Sequence, residues 1–295
     1  MPRLIAVVGP TATGKSALGL ALARHLGGEI VNADAMALYR GLDVGTAKPT
    51  PAERAEVPHH LLDVLDVTET ASVAAYQRDA RAAVEALLAA GRTPVLVGGS
   101  GLYVQSVVDD LEFPGTDPVL RAELETELAA HGPGALHARL AAVDPAAADV
   151  VLPGNGRRIV RALEVIALTG RPFPARLPAG VVPRYDAVLV GVDRPTDELD
   201  ARVARRVARM FAAGIVDETR ALEAAGLRDG LTASQALGYR QILAGGPMST
   251  AAADTVRATR RFVRRQRSWF RRDTRVHWLD AAAPDLLGRA LALSS

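Results

Sequence analysis

The segment GPTATGKS, residues 9–16, constrains this chain more than any other stretch of it. It fits the pattern G-x-x-x-x-G-K-[ST]. Gly9 and Gly14 let the backbone curl so that its N–H groups point at phosphate oxygens, and a helix opening near Lys15 adds its positive end. Lys15 supplies a mobile positive charge, and the Ser16 hydroxyl is a ligand for Mg²⁺. Such a loop needs a strand before it and a helix after it. LIAVVG, 4–9, is a short apolar run ending in glycine and predicts a buried parallel strand. KSALGLALARHL then places Leu18, Ala21, Leu22 and Leu26 at helical spacing. The whole loop, Gly9, Pro10, Thr11, Ala12, Thr13, Gly14, Lys15 and Ser16, is a candidate diphosphate or nucleotide site.

The pattern continues. EIVNAD, 29–34, predicts a second strand ending in Asp34; SVAAYQRDARAAVEALLAAG predicts a long helix stopped by Gly91; PVLVGG, 94–99, predicts a third strand. This alternation describes a P-loop NTPase-like α/β fold with a doubly wound parallel sheet. Ligands of such sheets collect at the carboxyl ends of the strands, so the loop, Asp34 and Gly98-Gly99-Ser100 are expected to converge. From Pro114 the strand signal stops. DPVLRAELETELAAHG, GALHARLAAV and NGRRIVRALEVIALTG are three helical patterns, followed by the proline-rich connector RPFPARLPAGVVPRY. AVLVGVDR, 187–194, returns as a buried strand, and VHWLDA, 276–281, reads as a last one. The expected organisation is a core of 1–113 and 185–295 with an all-helical insertion at 114–184.

A nucleotide-hydrolysing enzyme with this loop usually carries a further carboxylate on Mg²⁺ at a later strand end. The third strand ends in Gly98-Gly99-Ser100-Gly101, so Asp34 is read as the only acid at a neighbouring strand end. That argues against a motor or switch NTPase. Asp34 suits a residue that meets an acceptor substrate, or a helix cap, or an outer Mg²⁺ ligand. Ser100 suits a donor to a phosphate or bridging oxygen, or a plain turn serine. His59, His60 and Asp63 do not make a zinc site, because adjacent histidines diverge and no third well-spaced ligand follows.

Charge is informative where it is uneven. The net charge is +2, yet residues 257–275 hold nine arginines and one acid, which points to a large anionic partner. On this helical stretch Val256, Thr259, Val263, Gln266 and Phe270 form one stripe, and Arg260, Arg264, Arg267, Arg271 and Arg275 another. The first is expected to pack on the core with Trp269, and the second to face phosphate. Of 35 basic residues only Lys15 and Lys48 are lysine, the remaining 33 being arginine. A lysine in such a chain marks a place that needs a compact ammonium. The chain contains no cysteine, which excludes disulfides and thiolate zinc and fits a reducing cytoplasm. No signal peptide and no membrane span are expected, because no apolar run approaches about 18 residues.

Taken in order, GPTATGKS, DAMALYRGLDVGTAKP at 34–49, PHHLLD at 58–63, LVGGSGLY at 96–103, RRIVRALEV at 157–165, GYRQ at 238–241 and RRQRSWFRRD at 264–273 make the chain resemble the tRNA dimethylallyltransferases, also called tRNA isopentenyltransferases, of the bacterial type without a zinc finger. The resemblance is nearly full length. It implies transfer of a dimethylallyl group from dimethylallyl diphosphate to the exocyclic amine of the adenosine just 3′ of the anticodon in tRNA. The phosphate loop then holds the donor's diphosphate. Asp34 would take the amine proton, Ser100 would sit by the reacting centre, and Arg240 and Lys48 would reach the outer phosphates. Asp34, Ala35, Met36, Ala37, Ser100, Arg121, Arg157, Arg158, Ile159, Val160 and Arg161 are implied to meet the tRNA anticodon stem-loop, with Arg264 and Arg267 from the basic stripe. The target base would be extruded from its stack, and the insertion would clamp the loop. Two positions depart from the family pattern. Ala35 and Ala37 stand where serine and often glutamine are usual, which removes side-chain hydrogen bonds to the base. Ser100 stands where threonine is common and keeps the hydroxyl. A P-loop small-molecule kinase, a non-catalytic RNA-binding protein, and prenylation of free adenine nucleotides are the rival readings. A monomer is expected.

Overall fold

The computed structural model describes residues 2–175 and 182–294. Part of the proline-rich connector, 176–181, lies outside the described residues. Contact density divides the chain into two units, 1–110 with 183–295, and 111–182. The division falls before Pro183 because Asp109 bridges to Pro183 and the Arg184 N–H donates to the Val108 carbonyl, keeping this segment in the first unit.

The first unit is built on a six-stranded sheet. Its strands are β1 (Ile5–Val8), β2 (Glu29–Asn32), β3 (His59–His60), β4 (Pro94–Val97), β5 (Val188–Asp193) and β6 (Val276–Asp280). Their spatial order is β3-β2-β4-β1-β5-β6, and all pairs are parallel. Strands β1, β2 and β4 are buried at every residue, as expected of parallel strands covered on both faces. Alternate residues feed two cores. Ala6, Val8, Val31 and Leu96 face a cluster with Tyr76, Tyr103 and Phe270. Ile5, Val7, Ile30 and Val95 face one with Leu18, Leu22 and Ala290.

The helices of this unit are α1 (Lys15–Leu26), α2 (Pro51–Glu56), α3 (Val73–Ala89) and α4 (Gly101–Val108), and after the second unit α8 (Thr196–Ala212), α9 (Ile215–Ala224), α10 (Tyr239–Leu243), α11 (Met248–Phe270) and α12 (Leu286–Ser294). α11 buries Thr259, Val263, Gln266 and Phe270, four of the five residues on the predicted apolar stripe; Val256 is half-buried. Trp269 packs against the core beside them. The edge strand β3 has no signature in the sequence, since it is two histidines long. It exists because β2 offers a free edge to pair Ile30 with His59 and Val31 with His60.

The second unit is all-helical, with α5 (Pro118–Val143), α6 (Pro145–Val150) and α7 (Gly156–Thr169). Gly132, at φ 75°, followed by Pro133, breaks α5 into the two helical patterns visible in the sequence. Leu124, Leu136, Leu140, Ile159, Leu163 and neighbours form a separate core. Among the described residues no helix is long and apolar enough to cross a membrane.

Candidate active site

The phosphate loop runs from the end of β1 into α1. Gly9 has φ 130°, and a Cβ there would lie 2.4 Å from the Val192 carbonyl oxygen on β5, so nothing larger fits. Gly14, at φ 109°, opens α1. Three arginines hold the back of the loop: Arg206 Nη1 donates to Thr11 Oγ1 (3.1 Å), Arg202 Nε to the Ala12 carbonyl (2.8 Å) and Arg194 Nε to the Thr13 carbonyl (3.2 Å). In a trans peptide the N–H opposes the C=O. With the Ala12 and Thr13 carbonyls turned to the arginines, the Thr13 and Gly14 N–H groups face the other way, into the cradle. Ala12 adopts φ 66°, left-handed backbone that costs about 1 kcal/mol or more for a residue with a Cβ.

Lys15 is 9% exposed, and its ammonium donates to the Pro10 carbonyl. Burial brings its pKa down from 10.5 to about 7, opposed by Asp34 and Asp193 and reinforced by Arg206. Burial also lowers Arg206, against the attraction of Asp34. Lys15, Arg206 and Asp34 therefore share one poorly solvated space in which positive charge is under-compensated, the electrostatic condition for binding an anion.

The opposite wall comes from the ends of β2 and β4. Asn32 organises it: its Nδ2 donates to the Asp34 carbonyl (3.0 Å) and the Leu61 carbonyl (2.9 Å), and its Oδ1 accepts from the Asp34 N–H (3.0 Å). Asp34 caps the 3₁₀ turn Ala35–Leu38, Oδ1 accepting from the Met36 N–H at 2.9 Å. Among the described residues no cation pairs with Asp34, and Oδ2 has no protein partner. Capping thus uses one oxygen of this half-buried carboxylate and leaves the other open. Ser100 Oγ accepts from the Ala35 N–H at 3.3 Å, which joins the β4 turn to the Asp34 turn. Gly98 permits the approach, since a Cβ there would lie 2.1 Å from the Ala33 carbonyl oxygen. Beneath, the Tyr76 hydroxyl donates to the Asn32 carbonyl (2.9 Å) and its ring meets Tyr103 at 4.4 Å.

The sequence reading needs correction at several residues. Asp34 is not the sole acid at a neighbouring strand end: Asp193 ends β5, which pairs directly with β1 although far away in the chain. Asp193 is neutralised by Arg267 (2.8 Å) and Arg271 (3.2 Å). Lys48 is not available to phosphate. Its side chain is 2% exposed, and the ammonium donates to the Tyr39 carbonyl (2.5 Å), to Asp43 (2.7 Å) and to Asp63, which uses all three of its protons. Arg267 lies on the charged stripe but turns inward to Asp193, Thr196 and the Arg194 carbonyl, whereas Arg264 stays exposed, 3.7 Å from Asp200. Arg240 is exposed beside Arg257 and Arg261 in a shallow cleft, with no bond to the loop.

In the helical unit, Ile159 and Val160 are 0% and 3% exposed and fill its core, so their side chains cannot meet RNA. Arg121 and Arg161 converge on Glu164, which also accepts from the Thr116 hydroxyl and the Asp117 N–H (3.1 Å). Burial pushes the Glu164 carboxyl up, but these donors overcome it and hold it at about 2. Arg158 donates to the Ala175 carbonyl; Arg157 is exposed with no partner among the described residues.

Arg194, Arg202, Arg206 and Asn32 join the site beyond the residues expected from the sequence, and so does Gln266, which was expected only on the core-facing stripe. The arginines are hidden by the abundance of their kind, although 202 and 206 stand one helical turn apart. Asn32 was legible as an amide two residues before a strand-end acid, and Gln266 as the one amide on an apolar stripe.

A parallel sheet with a glycine loop at the end of β1, a buried lysine in that loop and, one strand beyond the neighbouring β4, a carboxylate at the end of β2 with no cation paired to it among the described residues define a P-loop α/β protein built to bind a phosphorylated substrate against a second reactant. The IPP transferase family model matches residues 37–273, and the chain belongs to that family. A tRNA dimethylallyltransferase of Streptomyces avermitilis is 67% identical over 289 residues, spanning 97% of this chain and 92% of its own. One of Saccharopolyspora erythraea is 67% identical over 296 residues, spanning 99% and 96%. The full-length tRNA isopentenylpyrophosphate transferase of Bacillus halodurans superposes with a TM-score of 0.72 at 37% identity, covering 100% of this chain and 95% of that one. A eukaryotic dimethylallyltransferase acting on tRNA gives 0.84 at 23% identity, covering 99% and 78%, a likeness of fold.

Proposed function

We propose that the chain transfers a dimethylallyl group from dimethylallyl diphosphate to the exocyclic amine of the adenosine 3′ of the anticodon in tRNA, in the cytoplasm and as a monomer. One observation carries this reading. A phosphate cradle at the end of β1 and, among the described residues, a carboxylate oxygen with no protein partner at the end of β2 flank the end of β4, whose turn is Gly-Ser rather than acidic. The donor's diphosphate lies on the Thr13 and Gly14 N–H groups, with Lys15 and Arg206 matching its charge. Lys15 leaves the Pro10 carbonyl for the phosphate and takes up a full proton. Neutralising the diphosphate lets it depart while positive charge spreads over the allylic carbons.

The adenine amine is a weak nucleophile, so its alignment decides the rate. Asp34 Oδ2 accepts a hydrogen bond from the amine and takes its proton as the new C–N bond forms. Asn32 and the Met36 N–H keep that oxygen aimed. With alanine at 35 and 37, the turn offers the base its backbone groups instead of polar side chains.

Ser16 is exposed, its hydroxyl has no partner among the described residues, and no cluster of three or more His, Asp or Glu able to hold a metal occurs among them. That fits an Mg²⁺ held by Ser16, phosphate oxygens and water, which is how this ion is usually bound. When bound, it supplies further neutralisation of the leaving diphosphate. Of the arginines implied to meet RNA, Arg157 is exposed with no partner among the described residues and Arg264 is exposed, so both are open to RNA phosphates.

The test is the mass of unmodified tRNA after incubation with protein, dimethylallyl diphosphate and Mg²⁺. A gain of one dimethylallyl group at the adenosine 3′ of the anticodon is expected. An unchanged tRNA mass, with ATP turned over instead, would establish the kinase reading.

A further inference from the structure

The two walls of the site belong to different strand ends, and one side chain spans them. Gln266 on α11 is 6% exposed. Its Oε1 accepts from the Thr11 N–H of the phosphate loop at 2.9 Å, and its Nε2 donates to the Gly99 carbonyl of the β4 turn at 2.9 Å. A neutral carboxamide offers an acceptor and a donor from one terminal group at this reach, which an ionised carboxylate of the same length does not. The turn is moulded to it. A Cβ at Gly99 would lie 2.2 Å from Gln266 Nε2, and a Cβ at Gly101 would lie 2.2 Å from Trp269 Cδ1, one turn further along α11. Ser100 stands between these two glycines, so Gln266 and Trp269 together fix where its hydroxyl sits, and through Ser100 Oγ the Ala35 N–H beside Asp34.

We propose that Gln266 is a positioning residue for the transfer reaction: it sets the spacing between the phosphate cradle and the Ser100–Asp34 wall. The Thr11 N–H faces Gln266 and not the cradle, so Gln266 binds neither substrate. Its removal leaves both binding surfaces in place and lets their separation drift. Misplacement of reacting groups by about 1 Å costs on the order of 100-fold in rate. The signature is a fall in the rate of the bound complex with little change in either affinity.

This inference rests on the proposed prenyl transfer, so the wild-type chain is the control that separates the two: failure of wild type to modify tRNA sinks that reading, not this one alone. In Gln266→Met the shape is kept and both bonds are lost; in Gln266→Glu, assayed at a pH where the carboxylate is ionised, the Thr11 bond is kept and the donor to Gly99 is lost. Single-turnover transfer at saturating dimethylallyl diphosphate and tRNA is expected to slow by about 10- to 100-fold in both. Donor and tRNA dissociation constants, measured by equilibrium binding, are expected to stay within about threefold. Rates within threefold of wild type overturn the proposal. So does a loss confined to donor affinity, which would make Gln266 part of the phosphate site. If neither variant folds, the residue is structural and the proposal also fails.

Discussion

Replacing Asp34 by asparagine separates its two jobs. Oδ1 caps the turn after β2 by accepting from the Met36 N–H, and asparagine caps as well as aspartate does. Asp34→Asn therefore keeps the turn and removes only the charge and the basic oxygen. Loss of a positioned base costs about 10²- to 10⁴-fold, equivalent to roughly 3–5 kcal/mol on the barrier at 1.36 kcal/mol per tenfold. Asp34→Ala loses the base and also the cap, which adds about 1 kcal/mol of instability and lowers Tm by about 2–4 °C. The charge has a second effect, since Asp34 opposes the burial that depresses Lys15. Without it, the Lys15 pKa falls further, and donor binding weakens at neutral pH but recovers at lower pH. The assay is single-turnover transfer of labelled dimethylallyl to tRNA, with differential scanning calorimetry and donor binding alongside. A rate for Asp34→Asn within threefold of wild type would remove Asp34 from the base role. Equal melting of the two variants would refute the capping argument.

Three further outcomes are expected. Lys15 has a value of about 7 in the free protein, and the bound diphosphate should return it towards its ordinary range near 10.4. Binding then takes up a proton, and donor affinity should fall by about 25-fold from pH 6.5 to 8.5; a flat profile in titration calorimetry would contradict this. Arg264→Ala should reduce the slope of log affinity for tRNA against log salt by about 0.7 to 0.9, whereas Arg267→Ala, which breaks the pair with Asp193, should lower Tm and leave the slope alone. Glu164 has its folded pKa depressed, so its contribution to stability is present above the ordinary carboxylate value of 4.5 and is lost as pH falls towards about 2. Glu164→Ala should cost about 3–5 kcal/mol by stranding Arg121 and Arg161, and Glu164→Gln should flatten stability across that pH window, both read by denaturant melts.

The parts of the fold visible in the sequence are those set by local chemistry. IAVV, EIVN and PVLV are buried on both faces, so they read as continuous apolar runs, and the glycine loop carries its own backbone geometry. The stripe on α11 was legible because burial follows helical period. What escaped depends on pairing across the chain. Two histidines become a strand only because β2 has an open edge. Asp193 becomes a strand-end neighbour of the loop only because β5 lies against β1. The arginines behind the loop look like any others until α8 sets them against the carbonyls of 12 and 13. Ile159 and Val160 sit inside a run of arginines that looks like an RNA surface, yet α7 turns these two inward and leaves Arg157 outside.

Lys48 was conspicuous as a lysine in an arginine-rich chain, and its surroundings explain why. Three acceptors surround a pyramidal ammonium, and a flat guanidinium cannot serve them in the same way. Both lysine side chains are enclosed, one by these acceptors and one by the phosphate cradle, which leaves the folded surface with almost no side-chain amine. An acylating reagent applied near neutral pH should therefore find one substantially deprotonated lysine, Lys15, and a bound diphosphate should protect it. Lysine acylation, usually a scatter of surface labels, is expected for this protein to read out at one position whether the proposed diphosphate site is vacant.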